Sequence, residues 1–113
     1  MNTKLSSLSK NEDFKKILSG KKISNKYITI FFRKLNNKSS NYLNISFVTK
    51  KKLGNAVLRN KIKRRLRNIM REGLKKMQLN CKYSYLFIAK KNVFEDKYNV
   101  IKEKVLKDLK KIK

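Results

Sequence analysis

Apolar residues recur along the chain in two rhythms, one helical and one alternating. Phe14, Ile17 and Leu18 stand at helical spacing behind Ser9, Lys10, Asn11 and Glu12, which have the S-x-x-E form of a capping box, and Ser19 and Gly20 stop the run. A short first helix is predicted. From Tyr27 to Arg33 the period falls to two, with Ile28, Ile30 and Phe32 on one face and Tyr27, Thr29, Phe31 and Arg33 on the other. After a polar turn at Asn36 to Asn41, Leu43, Ile45 and Phe47 alternate with Asn44, Ser46 and Val48, which suggests the antiparallel hairpin partner of that strand.

From Ala56 to about Leu79 the rhythm is helical again. Leu58, Ile62, Leu66, Ile69, Met70 and Met77 fall in a sector of about 120° on a helical wheel. Asn55 is the expected N-cap. Asn60, Lys61, Lys63, Arg64, Arg65, Arg67, Arg71 and Lys75 fill the opposite arc, so one helix carries an apolar and a basic stripe. Gly73 sits mid-helix with no reason in the sequence for its loss of about 1 kcal/mol against Ala. Tyr83 to Ala89 reads as a strand buried in a sheet, and Tyr98, Ile101, Val105, Leu109 and Ile112 outline a last amphipathic helix. The order is helix, two or three strands, helix, strand, helix. At 113 residues, with no repeat or low-complexity linker, this is one domain spanning 1–113.

Charge changes the picture most. The chain holds 32 Lys and Arg against 7 Asp and Glu, a formal net charge of +25, which repels itself in a compact body and asks for a polyanion. Acidic lipid is the weaker candidate, because the chain has no Trp to seat a basic helix in a membrane interface, and no apolar run is long enough to span one. The N-terminus lacks the apolar stretch of a signal peptide, which points to the cytoplasm. With no His and a single Cys, an imidazole catalyst, a His-bearing zinc site and an intrachain disulfide are all excluded. Cys81 is expected to be a small buried apolar residue. The acids Glu12, Asp13, Glu72, Glu95, Asp96, Glu103 and Asp108 are scattered. Glu12 and Asp13 suit a first helical turn, Glu95 and Asp96 the start of the last helix.

Arginine separates nucleic acid from an indifferent basic surface. Five of the six, Arg59, Arg64, Arg65, Arg67 and Arg71, lie between positions 59 and 71, where chance would put about one. In a chain that otherwise defaults to Lys, that concentration points to the guanidinium's planar fork, which suits phosphate or a base edge. A merely solvated helix face is the competing reading.

Lys50 to Arg67, KKKLGNAVLRNKIKRRLR, resembles the signature of the bacterial ribonuclease P protein subunit: a Lys-Lys-x-x-Gly-x-Ala turn, an Arg-Asn-Arg triplet on a basic helix, and a further Lys-Arg pair. Leu8 with Asn11, Glu12, Asp13 and Phe14 is similar to the family's first helix, and Phe87 to Lys91 to its strand ending in Ala-Arg/Lys-Lys. The likeness covers nearly the whole chain. Lys61 replaces the last Arg of the triplet, Ser7 stands where an Arg often precedes the Leu, and Leu18 where a second Phe is common.

The resemblance implies an α+β fold of one domain, with a mostly antiparallel four-stranded sheet and three helices (αβββαβα) and a left-handed strand-helix-strand crossover. It implies removal of the 5′ leader from precursor tRNA by an endoribonuclease whose catalysis is carried by a partner RNA holding Mg2+, none being bound tightly by the protein. On that basis Arg59, Asn60, Lys61, Lys63, Arg64, Arg65, Arg67 and Arg71 are assigned to the RNA subunit, Arg59 being nearest the apolar sector and the best suited of them to a structural role. A second surface, Phe14, Leu18, Tyr27, Phe31, Arg33 and Lys90, is assigned to the unpaired leader, whose bases stack on aromatic rings, ordinary core being the competing reading for Phe14 and Phe31. Precursor tRNA and the catalytic RNA are the expected partners, with neither membrane nor DNA. The alternative is a ribosomal protein binding folded rRNA, which shares the charge and the Arg helix and needs no single-strand cleft. A DNA-compacting protein ranks third, since neither dimer surface nor flexible basic tail is evident.

Overall fold

A computed structural model of the chain describes residues 4–8, 10–36, 38 and 41–112. The elements run β1 (Lys4–Ser7), α1 (Asn11–Leu18), β2 (Lys21–Ser24), β3 (Ile28–Arg33), β4 (Tyr42–Val48), a 3-10 turn (Lys51–Leu53), α2 (Ala56–Lys76), β5 (Ser84–Ala89), α3 (Asn92–Glu95) and α4 (Tyr98–Lys110). Five strands form one mixed sheet in the order β1-β4-β5-β3-β2. β1 and β4 are parallel, as are β4 and β5, whereas β5 with β3 and β3 with β2 are antiparallel. The fold is α+β, as the sequence predicts, but among the described residues the sheet has five strands and mixed pairing rather than four mostly antiparallel strands, and there are four α-helices rather than three.

Each departure has a physical reason. β1 and α3 are four residues long, too short for hydrophobic periodicity to register. The expected hairpin between β3 and β4 does not form. Every residue of β5 but Ile88 is buried, so that strand takes the centre, between β3 and β4. Asn37, Ser39 and Ser40 of the expected turn lie outside the described residues, as does Ser9 of the expected capping box. The residue ahead of α1 is Lys10, which makes no side-chain cap. Glu95 closes α3 and Asp96 lies beyond it, so neither begins α4.

The sheet separates two cores. On one face Ile28, Ile30, Phe32, Ile45, Tyr85 and Phe87 pack with Ile62, Leu66, Ile69 and Met70 of α2 and Ile101, Val105 and Leu109 of α4. On the other face α1 encloses a smaller cluster of Leu8, Ile17, Leu35 and Leu86. Each fully buried aliphatic side chain contributes roughly 1.5 to 3 kcal/mol, so α2 is held mainly by its apolar stripe, which leaves its other side free to carry charge. α2 also runs close to α4: a Cβ added at Gly73 would stand 2.6 Å from Leu106 Cδ2, so a larger residue there would require the Leu106 side chain to move. Met77 belongs to the extended segment after the helix rather than to its last turn.

Candidate nucleic-acid interface

The basic helix begins at an abrupt turn. Gly54 has φ +150°, a conformation open to glycine alone, and Asn55 Oδ1 accepts a 2.9 Å hydrogen bond from the Leu58 amide as the expected N-cap. Asn60, Lys61, Arg64, Arg67 and Arg71 stand exposed on the side of α2 away from the core, while Arg59, Lys63 and Arg65 are half-buried. Arg59 is at the apolar edge, as its spacing predicts, with its Nε buried and without a hydrogen-bond partner. Arg67 reaches over Phe47, its guanidinium carbon 6.0 Å from the ring centroid.

Arg65 differs from its neighbours. One of its terminal nitrogens donates to the carbonyls of Val93 (3.1 Å) and Asp96 (3.0 Å), and its guanidinium carbon lies 5.4 Å from the Phe94 ring centroid. This arginine braces α3 and the turn after it against α2, so it is engaged with its own chain.

The residues assigned to the leader divide. Phe14 and Phe31 are half-buried with Val48 and Ile88 at the margin of the α1 cluster, so each packs there and remains partly exposed. Lys22 Nζ lies 5.9 Å from the Phe31 ring centroid. Leu18 is 46% exposed beside them on α1. Arg33 is exposed but braced, donating to Ser19 Oγ (2.6 Å) and the Lys16 carbonyl (3.3 Å) at the end of α1. Tyr27 is not on this face. It precedes β3, so the alternation does not reach it, and its ring is buried in the α2 and α4 core. Lys90 is half-buried and donates to Ser24 Oγ (2.8 Å) and the Asn25 carbonyl (2.6 Å).

Lys90 also lines a concavity of about 410 Å3 that sequence reasoning did not assemble. Thr29, Leu53, Ile88 and Ala89 line it together with Lys50, Lys52, Lys90 and Lys91. Parallel pairing, with Val48 opposite Ile88, brings the turn after β4 to the same end of the sheet as the turn after β5. The signal in the sequence is a run of lysines after each strand, three after β4 and two after β5, and it becomes informative once those strands are known to run side by side.

The acids are not gathered for catalysis. Asp96 accepts from Tyr27 Oη at 2.6 Å and pairs with Lys26 at 3.1 Å, and these partners hold its carboxyl below the usual range. Burial pushes Asp108 up, but the Asn25 amide at 2.8 Å and Lys111 at 3.2 Å outweigh it and leave the net shift downward. Asp13 is buried against Lys38 at 3.1 Å. Among the described residues no three of Asp, Glu, Cys or His come together as a metal ion would require. Cys81 is half-buried rather than buried, with its thiol against the Leu79 carbonyl and pushed up by desolvation. Among the described residues no helix is long and apolar enough to cross a membrane.

The family model for Ribonuclease P matches residues 2–113. The chain belongs to the ribonuclease P protein family. It is 33% identical over 106 residues to the ribonuclease P protein component of Mycoplasma mycoides subsp. mycoides SC, spanning 94% of each chain. To that of Listeria monocytogenes serotype 4b it is 33% identical over 104 residues, 91% of this chain and 84% of the relative. The fold is similar to that of the Thermotoga maritima RNase P protein, with a TM-score of 0.78, 30% identity and coverage of 96% and 98% of the two chains. The Staphylococcus aureus RNase P protein is also similar, with a TM-score of 0.76, 26% identity and coverage of 94% and 93%. Within a ribonuclease P protein, the basic face of α2 and the half-buried aromatics beside α1 are two separate surfaces on opposite sides of one sheet.

Proposed function

We propose that the chain is the protein subunit of a ribonuclease P ribonucleoprotein, an endoribonuclease that removes the 5′ leader from precursor tRNA and whose chemistry is carried by its RNA. The single observation behind the assignment of surfaces is the α2 face. Asn60, Lys61, Arg64, Arg67 and Arg71 are exposed along one helix whose other side is core, the arrangement that places charge-assisted contacts along a phosphate backbone. The catalytic RNA is assigned to that face, with Lys63 and Arg59 at its edges. Precursor tRNA is assigned to the opposite side of the sheet, where Phe14 and Phe31 are partly exposed, Leu18 and Lys22 accompany them, and Lys50, Lys52, Lys90 and Lys91 supply cations for the leader's phosphates. Tyr27 is left to the core.

Asp13, Glu72, Asp96 and Asp108 are engaged in ion pairs, and among the described residues the acids do not gather into a hard-oxygen site, so Mg2+ is assigned mainly to the RNA and no step is routed through the protein. The place of action proposed is the cytoplasm. A ribosomal role finds no support in the matched family or in the relatives named above. Reconstitution tests the reading: the purified chain added to its own ribonuclease P RNA at low Mg2+ should stimulate cleavage at the mature 5′ end. RNA-free protein should be inactive. Cleavage that survives nuclease treatment and repurification of the protein alone would overturn the division of labour.

A further inference from the structure

Phe94 is 40% exposed, although large aromatic side chains are otherwise partly or fully buried in this chain apart from Tyr42. It is not loose. Arg65 lies against its ring at 5.4 Å and is itself fixed by two carbonyl acceptors from the same short segment, Val93 and Asp96. A cation held under one part of an aromatic ring leaves the rest as a rigid surface whose ordering has already been met by the fold. Around it lies an open concavity of about 300 Å3 lined by Lys61, Arg64, Arg65, Asn68, Phe94 and Tyr98. Lys61, Arg64 and Asn68 are exposed on the basic side of α2, and they bring phosphate-binding cations and an amide within reach of an apolar ring.

We propose that Phe94 is a stacking platform for one unpaired base of the ribonuclease P RNA, with Lys61 and Arg64 holding the phosphates on either side of that nucleotide. The proposal rests on the reading of α2 as the RNA-subunit face and adds to it a contact of a different kind. A phosphate track alone would need no exposed Phe, and an ordinary protein partner would not favour a rim of Lys61 and Arg64. Asn68 and Tyr98 line the same concavity, and the Asn68 amide suits a base edge or sugar. Base stacking on an aromatic side chain tolerates any base, so the site selects an unstacked nucleotide rather than a sequence.

The chain has no Trp, which makes Phe94→Trp a single reporter. Titrated with its own ribonuclease P RNA, the full-length variant should bind as tightly as the parent or more tightly, and its indole emission should change on saturation. Phe94→Ala and Phe94→Leu should each raise the dissociation constant about fivefold or more, while the slope of log affinity against log salt stays unchanged because no phosphate contact is lost. Leu keeps the apolar cover over Arg65, so a purely structural role predicts native affinity for Phe94→Leu and would overturn the proposal. An indole that ignores the RNA subunit, or that responds to precursor tRNA alone, would also overturn it. Arg64→Ala with Arg67→Ala provides the separate check. If that pair weakens binding and the Phe94 variants do not, the platform fails alone; if the pair has no effect, the α2 reading fails with it.

Discussion

The hydroxyl of Tyr27 donates a 2.6 Å hydrogen bond to the carboxylate of Asp96. It ties the entry of β3 to the turn between α3 and α4, across most of the sequence. The bond holds Asp96 below the ordinary carboxylate value, with Lys26 adding to the effect. A depressed carboxylate contributes stability that is present above its unfolded value of about 3.9 and is lost as pH falls through its folded value. Tyr27→Phe should therefore lower the melting temperature at neutral pH, and the gap from the parent should close as pH falls below about 4. Thermal melts across that range check this, and a gap that stays constant would mean Asp96 gains nothing from the hydroxyl.

Gly54→Ala should destabilise the chain by roughly 1 to 3 kcal/mol, the usual range for a side chain held in a glycine-only conformation. The new methyl would also stand 2.6 Å from Leu58 Cδ2, next to the Asn55 cap. Denaturant unfolding measures the loss. RNA affinity at a temperature where the variant remains folded should fall as well, because the start of α2 shifts.

Replacing Arg64 and Arg67 with Ala should weaken assembly with the RNA subunit far more than replacing Lys107 and Lys110, which are also exposed. Each phosphate contact contributes roughly 0.7 to 0.9 to the salt slope, so the arginine pair should flatten it by about 1.5. Binding titrations at several salt concentrations decide it. Equal effects from the two pairs would mean a diffuse positive field.

Phe31→Ala should raise the dissociation constant for leader-bearing precursor by about fivefold while leaving mature tRNA nearly unchanged, the expected loss for one stacked base. Because Phe31 is half-buried in the α1 cluster, stability should fall too, and binding is to be measured well below the melting transition. Equal weakening of precursor and mature tRNA would assign the ring to packing alone.

What could be read from the sequence was what repeats within one element. α2 announced itself through the Asn55 cap, the stripe from Leu58 to Met70 and the opposed cations. β5 did so through a run buried on both faces, and α4 through Ile101, Val105 and Leu109. What the sequence hid lies between elements. Nothing local to β3 and β4 says that another strand separates them, and Tyr27 joins one core or the other according to where β3 begins. Arg65 is chemically identical to Arg64, yet only the docking of α3 supplies the two carbonyls that engage it. The lysines after β4 and after β5 form one rim solely because those strands run parallel.

The central place of β5 has a consequence for biosynthesis. β3 and β4 each pair with β5 and not with one another, so during translation neither finds its inner neighbour until residues 84–89 have left the ribosome. At about 5 to 20 residues per second, most of this strongly cationic chain is exposed for seconds with its sheet incomplete, in a compartment crowded with RNA. The basic stretch of α2 emerges before β5, so polyanions meet it while the strands on either side are still unpaired. A nascent chain stopped before residue 84 would lack the strand that joins the two halves of the sheet.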